Sequence, residues 1–110
     1  MHITWQDFEK IDIRIGTIIN AQAFPKALKP SYQLTIDFGT EGIKKSSAQI
    51  TKHYTPEILL GRQVIAIINF PPKQIANFFS ECLVLGVYDE NNDVILIHPD
   101  KKVSNGLKIG

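Results

Sequence analysis

Little in this sequence fits a membrane protein or a disulfide-linked secreted protein. It has one cysteine, Cys82, which cannot form an internal disulfide and is typical of a reducing compartment. Its longest apolar runs have about five residues, whereas a bilayer-spanning helix needs roughly 20. The first residues show no charged-then-apolar leader. We therefore expect a soluble, cytoplasmic, single-domain protein over residues 1–110, without membrane insertion.

The usual patterns of catalysis and of metal or nucleotide binding are also missing. The three histidines and one cysteine are too scattered for a recognisable zinc site, and no glycine-rich loop precedes a helix. Cys82 with His53 or His98 would supply a nucleophile and a base, but neither histidine has an evident orienting partner. We therefore expect no enzyme, no catalytic residue, no metal and no cofactor.

The net charge is only +1, but the charges are unevenly distributed along the chain. Between Lys26 and Lys73 there are seven basic and three acidic residues, whereas five acidic residues and no lysine or arginine lie between Glu81 and Asp100. A fold that gathers the first set on one face would present a basic patch, as expected for a polyanion partner. The alternative is that these lysines only keep the surface solvated.

Three strands are predicted in the first half of the chain. Residues 11–15 alternate between apolar and polar, and a change of phase after Gly16 indicates a long first strand with a bulge or bend. Residues 32–38 alternate clearly, and the glycine-bounded turn 39–42 predicts a hairpin. The third strand, residues 43–50, is polar and is the one most exposed to solvent or a ligand.

A short helix and further strands follow. Thr55, with proline next to it, predicts a helix that is capped by the Thr55 hydroxyl and stopped at Gly61. Two short apolar runs, residues 64–68 and 83–87, predict buried strands, and residues 94–97 pair back as a hairpin. A helix between the third and fourth of five strands favours an all-β, five-stranded OB-fold barrel over its main rival, an SH3-like barrel.

The segment between the two apolar runs is the candidate binding loop. Pro71 and Pro72 cannot supply backbone donors, so a central strand ends before them. Loops held by strands concentrate binding residues. Among the polar residues of this loop are Asn69, Lys73, Asn77 and Ser80.

The two ends of the chain carry apolar residues outside the predicted barrel. Thr4 and Asp7 form a capping box that starts a short helix. This N-terminal helix and the C-terminal extension would leave too much apolar surface on a lone barrel. A twofold dimer that buries them is the economical explanation. The residues predicted at the interface are Trp5, Phe8, Leu107 and Ile109.

Several blocks of sequence occur in an order that resembles one known family, the tRNA-binding OB domain. That domain is found at the C-terminus of some methionyl-tRNA synthetases and in free-standing tRNA-binding proteins. The resemblance covers about residues 8–88. The blocks are Phe8-Glu-Lys-Ile-Asp-Ile-Arg-Ile-Gly16, Tyr54-Thr-Pro-Glu57, Leu60-Gly-Arg62, the strand from Val64 to Asn69, and Ser80-Glu-Cys-Leu-Val-Leu-Gly86.

The resemblance implies a homodimer that binds tRNA or, in a branch of small bacterial export-related chaperones, unfolded and preprotein segments. Matching motifs would place binding at Asn69, Lys73 and Ser80, with Cys82 where many members have methionine. The loop Phe24-Pro-Lys-Ala-Leu28 replaces the common His-Pro-Asn-Ala-Asp, and Ser47-Ala48 replaces the usual Ser-Gly. These departures, and the loop from Phe24 to Tyr32, favour the chaperone branch.

Two hypotheses therefore stand. The first is a chaperone that holds extended segments in a groove near Asn69, Lys73, Phe78, Phe79 and Ser80. In an extended segment either one of the two phenylalanines enters the core and the other is exposed, or both are buried in the core or in a dimer. The second is a tRNA-binding module that uses the basic stretch. Because neighbouring strand residues alternate in direction, at most one of Lys44 and Lys45 faces a ligand. The further candidates are Lys26, Lys29, Lys44, Lys45, Phe78 and Phe79.

Overall fold

The computed structural model describes residues 1–110, and short strands dominate it. Two helices, one 3-10 turn and nine strands follow one another along the chain. In order they are α1 (Trp5–Glu9), β1 (Ile13–Ala23), β2 (Tyr32–Asp37), the 3-10 turn (Gly39–Glu41), β3 (Ile43–Ala48), α2 (Pro56–Leu59), β4 (Gln63–Ile67), β5 (Lys73–Ile75), β6 (Phe78–Ser80), β7 (Leu83–Val84), β8 (Gly86–Tyr88) and β9 (Val94–Leu96).

Five of the strands form an antiparallel sheet in the order β3-β2-β1-β4-β7. The sheet curls so that β3 meets the chain just before β7. There the Glu81 amide donates to the Lys45 carbonyl at 2.7 Å, and the Ser46 hydroxyl donates to the Cys82 carbonyl at 3.1 Å. With α2 between β3 and β4, this nearly closed barrel has the OB layout that the sequence predicted.

The long first strand serves two neighbours. Residues 13–17 of β1 pair with β4, and residues 17–23 pair with β2. The register shifts between Ile18 and Asn20, which confirms the predicted bulge. Because the bulge lets the strand bend, β1 can belong to both sides of a small barrel.

The core fills the barrel interior. Leu34, Ile36 and Phe38 of the β2 region and Val64 of β4 are fully buried. Leu59 of α2 is also fully buried and belongs to the same core. The core extends beyond residue 88, because Leu96 of β9 is also buried. The amide of Leu96 donates to the Tyr54 hydroxyl at 2.9 Å, which fixes the β8–β9 hairpin to the barrel.

One strand expectation is only half right. In β4, Val64 and Ala66 are buried as predicted, but residues 83–87 are not a buried strand in the single chain. Leu83 is 47% exposed and Val87 is 52% exposed. The apolar pattern marked strand structure correctly, but it did not distinguish the barrel interior from an apolar outer face.

The helix ends also test the sequence analysis. The Thr4–Asp7 capping box is present, with hydrogen bonds of 3.0 and 3.1 Å, yet α1 buries none of its residues. Thr55 occupies the N-cap position of α2, but its side chain makes no capping hydrogen bond, so that expectation is wrong. Pro56 at the first turn supplies the start signal instead.

The C-terminal segment is bound to its own barrel. Its residues 106–109 run antiparallel to the start of β1, where hydrogen bonds join Ile15 to Leu107 and to Gly106 and join Ile109 to Ile13. The Gln63 side chain also bonds both backbone groups of Val103. This segment therefore occupies the β1 edge that β2 leaves free. None of the helices has the length and apolar character needed to cross a membrane.

Candidate functional site

The loop between β1 and β2 is fixed at its base and exposed at its tip. Phe24 is buried, and its amide donates to the Ser31 carbonyl at 3.1 Å, which closes the loop. The Ser31 hydroxyl donates to the Lys29 carbonyl at 2.9 Å. Lys26 and Lys29 are exposed, and because Pro25 and Pro30 beside them fix the backbone, the loop holds both lysines out to solvent.

The predicted polar loop contains a small hairpin that the sequence analysis missed. β5 and β6 pair Lys73 with Ser80 and Gln74 with Phe79. Ala76 turns the chain with a φ of 53°, and no glycine or asparagine at that position signalled the turn. Phe78 packs inward, whereas Phe79 is 54% exposed, so in the single chain the two neighbours face opposite ways rather than both being buried in the core.

The hairpin contacts both the loop and β3. The Phe24 and Phe78 rings meet edge to face with centroids 5.3 Å apart. On the other side, the Ser47 amide donates to the Ser80 hydroxyl oxygen at 3.1 Å. The hairpin, which carries Lys73, therefore adjoins both the loop between β1 and β2 and strand β3. Each of these three elements carries lysine.

Strand β3 separates its two lysines. The alternation of β3 turns Lys45 to the exposed side, while Lys44 shares the side of the buried Ser46 and is half-buried. The Lys45 amide also donates to the Glu81 carboxylate at 2.9 Å. We call the exposed set Lys26, Lys29, Lys45, Lys73 and Phe79 the basic surface.

The outer face of the sheet beside the basic surface is polar, and the sequence analysis did not single it out. Gln22 donates to Gln33 at 2.8 Å across β1 and β2, and Thr35 lies opposite Lys45 across β2 and β3. In the sequence, the β2 residues of this face appeared only as the polar positions of an alternating strand. That pattern indicated an outer face and no binding role. This is the face that OB-folds use for oligonucleotides and oligosaccharides.

The Asn69 side chain forms hydrogen bonds with a distant segment of the chain. Its Oδ1 accepts from the Asp12 amide at 3.0 Å, and its Nδ2 donates to the Lys10 carbonyl at 2.7 Å. The side-chain amide therefore links the end of β4 to the segment between α1 and β1. Asn69 is exposed, but its Oδ1 and Nδ2 atoms already have hydrogen-bond partners within the chain.

Ser80 and Cys82 are likewise engaged inside the protein. Ser80 bonds to β3, and Cys82 is buried with its thiol 3.7 Å from the Lys45 carbonyl. Burial raises the pKa of the Cys82 thiol to about 12. A protonated, inaccessible thiol is a poor nucleophile.

One histidine has a partner that the sequence analysis did not foresee. His53 Nε2 lies 2.7 Å from Asp89 Oδ2, so the expectation that neither histidine has an orienting group is wrong. A backbone hydrogen bond from Asp93 and the contact with His53 hold the pKa of Asp89 below its usual value. With the Asp93 carboxylate they form a group of possible metal ligands.

The residues predicted at a dimer interface differ in exposure. Trp5 is 79% exposed and Leu107 is about half exposed, whereas Phe8 and Ile109 are half-buried within the chain. A second apolar area lies on the outer side of β7, β8 and β9, where Val87 pairs with Ile95. Its exposed members are Leu83, Val87, Ile95 and Ile97, and we call this the apolar face.

The OB barrel, the basic surface and the polar sheet face beside it define a binding module of the OB class. Residues 13–108 match the model of the family described as putative tRNA binding domain, and the chain belongs to that family. Its likeness within the family extends to chaperones named CsaA. The structure of chaperone CsaA from Bacillus anthracis is 49% identical, with a TM-score of 0.95 over 100% of both chains.

Further relatives agree with this assignment. The CsaA chaperone of Picrophilus torridus is 50% identical, with a TM-score of 0.92 over 99% of this chain and 100% of that chain. Methionine–tRNA ligases of Methanococcoides burtonii and Pyrococcus furiosus are 36% and 37% identical over 97% and 98% of this chain. The chain spans only 16% and 14% of the length of those ligases.

Proposed function

We propose that this protein is a CsaA-like molecular chaperone that holds extended, unfolded segments of other proteins on the basic surface. The observation that carries the proposal is the exposed ring of Phe79 beside cationic and amide side chains on adjoining elements. The likeness to two chaperones over nearly the whole chain supports it.

An unfolded segment presents apolar side chains together with free backbone donors and acceptors. Phe79 offers a flat apolar contact to the apolar side chains, and Leu28 in the neighbouring loop is fully exposed. Gln33 and Thr35 offer hydrogen-bonding groups to the free backbone donors and acceptors. The lysines favour segments with acidic or neutral character. A binding surface of this mixed kind suits many sequences because no single pocket selects one side chain.

Within this proposal, the protein binds its clients in the cytoplasm, and preproteins awaiting export are among them. The matching experiment compares one preprotein with its mature form, both unfolded by dilution from denaturant. Tighter binding of the preprotein supports an export role, and equal binding of the two forms argues against it. The proposal involves no catalytic step.

Suppression of aggregation tests the chaperone function. A denatured client is diluted into buffer with a stoichiometric amount of protein, and light scattering is followed. We expect strong suppression by the native sequence and much weaker suppression by Phe79→Ser. Ile58→Ser is the matched control, because Ile58 is also about half exposed but lies on α2. No suppression by the native sequence, or equal suppression by both variants, would contradict the proposal.

A second function, binding of tRNA, is favoured by the family assignment and by the placement of the lysines. Lys45 lies on the OB face next to Thr35, while Lys26, Lys29 and Lys73 lie on the flanking loop and hairpin. Such an arrangement follows a phosphate backbone by charge and allows a base to stack on Phe79. Binding of this kind weakens steeply with salt, because the logarithm of the affinity falls by about 0.7–0.9 per neutralised phosphate for each tenfold rise in salt concentration.

We also propose that the protein is a homodimer and that residues 1–110 act as one OB-fold domain. The apolar face and Trp5 support this, since contiguous exposed apolar areas usually mark an interface, and a twofold axis pairs one patch with its copy. Phe8, Leu107 and Ile109 lie in the segments that would border the interface. The tail stays bonded to its own barrel and adds Leu107 to the exposed surface.

A further inference from the structure

Three side chains that the proposed function does not use meet beside the turn between β8 and β9. His53 comes from the connection between β3 and α2, while Asp89 and Asp93 flank the turn. His53 Nε2 lies 2.7 Å from Asp89 Oδ2. One ligand atom from each of the three side chains lies within 4.8 Å of the others.

The hydrogen bonds around these three side chains leave carboxylate oxygens available to a cation. Asp89 Oδ1 accepts from the amides of Asn91 and Asp93, both at 2.9 Å, which leaves Oδ2 directed at His53. The Asp93 side chain is half-buried, and its carboxylate accepts no hydrogen bond from the protein. Neither carboxylate forms an ion pair with a lysine or arginine. The imidazole of His53, paired with Asp89, is therefore the only group of possible positive charge among the three side chains, and the Asp93 carboxylate forms no ion pair.

We propose that His53, Asp89 and Asp93 bind a zinc ion. Zinc takes imidazole nitrogen at about 2.0–2.1 Å and carboxylate oxygen at about 2.0–2.2 Å, so ligand atoms around it lie about 3–4 Å apart. The observed arrangement, with His53 Nε2 and Asp89 Oδ2 2.7 Å apart and all three ligand atoms within 4.8 Å of one another, brackets this spacing. The His53–Asp89 hydrogen bond is then exchanged for two metal bonds, and a water completes the tetrahedron.

The donor set favours zinc over the other common divalent cations. Magnesium and calcium prefer oxygen ligands alone, whereas an imidazole with carboxylates suits zinc. The sequence analysis missed this site because it counted only histidine and cysteine as ligands. The two aspartates become ligands only through the fold, which brings them to a histidine 36 residues before Asp89.

Zinc here would link the loop before α2 to the β8–β9 hairpin. The same loop already holds the hairpin through the Tyr54 hydroxyl and the Leu96 amide. A metal would add a second attachment at the opposite end of the hairpin, next to its turn. The expected consequence is a more stable hairpin, and with it a more rigid apolar face. This inference does not depend on which polymer the basic surface binds.

Calorimetric titration with zinc chloride tests the site on the full chain after treatment with a chelator. We expect one zinc per chain and an increase of several degrees in the unfolding midpoint when zinc is far above its dissociation constant. Asp93→Asn should weaken binding at least about tenfold without harming the fold, because its carboxylate holds nothing in place. His53→Gln should do the same.

Two matched controls separate this site from scattered surface ligands. Asp100→Asn removes an exposed carboxylate, and His98→Gln removes an exposed imidazole, both outside the group. Both controls should bind zinc like the native sequence. Absence of zinc binding by the native sequence would overturn the inference. So would unchanged binding by folded Asp93→Asn and His53→Gln, because zinc would then bind elsewhere.

Discussion

Phe24 and Phe78 pack edge to face, with an angle of 60° between their rings. Phe24 closes the loop that presents Lys26 and Lys29, and Phe78 is the inward residue of the hairpin that presents Lys73 and Phe79. This contact joins the loop and the hairpin that carry four of the five members of the basic surface. We therefore expect the position of one to depend on the other.

Replacing Phe24 with alanine should therefore affect both stability and binding. Phe24 is only 4% exposed, and removal of a buried phenylalanine costs about 3–5 kcal/mol. We expect a clear loss in the free energy of unfolding, measured with urea, and weaker binding by whatever protein remains folded.

Phe79→Ala is the comparison for that variant. Because the ring is largely exposed, its loss should change stability by only about 0.5 kcal/mol while still weakening binding. If Phe24→Ala is as stable as Phe79→Ala, the loop does not depend on the contact.

The barrel was predictable because its signals are local. Alternation in residues 32–38, the phase change after Gly16 and the helix between the third and fourth strands all appear in short stretches of sequence. The β5–β6 hairpin was not predictable, since Ala76 carries no turn signal and adopts a positive φ only in its tertiary context. The apolar run from Leu83 likewise indicated a strand, but could not tell an inner face from an outer one.

Gly106 and Gly39 make the tail dock closely on the turn after β2. A Cβ at Gly106, where φ is 90°, would lie 2.5 Å from the Phe38 carbonyl oxygen, and a Cβ at Gly39 would lie 2.5 Å from the Asn105 carbonyl oxygen. Gly106→Ala should therefore detach the tail and destabilise the protein by about 1–3 kcal/mol.

Gly42→Ala separates backbone strain from the steric clash. Gly42 also has a positive φ, of 92°, but a Cβ there would meet nothing within 4 Å. Its cost should be smaller than that of Gly106→Ala when the unfolding of the two variants is compared. Equal costs would show that the close approach of the tail adds nothing.

Cys82 should be nearly inert in the folded protein. Thiol reagents attack the thiolate, and burial raises the pKa of Cys82 to about 12, so the thiol stays protonated at neutral pH. We expect slow labelling by a thiol reagent in buffer and fast labelling in denaturant.

The raised pKa of Cys82 also determines how the free energy of unfolding changes with pH. The unfolded chain loses the thiol proton near its usual pKa of about 8.5, before the folded protein does. The stability contributed by this group is present below that pH and is lost as the pH rises towards about 12. Rapid labelling of native protein would contradict the burial of the thiol.

Trp5→Ala should weaken the proposed dimer without unfolding the barrel. Trp5 is 79% exposed in the single chain, so the barrel loses little when the ring is removed. We expect sedimentation to show dissociation at concentrations where the native sequence remains dimeric. Ile58→Ala serves as an exposed apolar control. An unchanged dimer in Trp5→Ala would exclude α1 from the interface.

The candidate site was less predictable than the fold because it depends on which polar groups are already satisfied. Asn69 looked like a free recognition group, yet the fold directs its amide to Asp12 and Lys10. The outer side of β2 gained interest only once Thr35 was found opposite Lys45. His53 gained a partner only when the chain brought Asp89 to it.

Titration of labelled tRNA at low and moderate salt, repeated with an unfolded peptide as competitor, tests the shared basic surface most directly. We predict salt-sensitive tRNA binding that the peptide displaces, and a parallel loss of both ligands in Phe79→Ser. Binding of tRNA and peptide at the same time, each unaffected by Phe79→Ser, would contradict the account. Peptide binding without tRNA binding at low salt would leave the chaperone function alone and exclude the tRNA function.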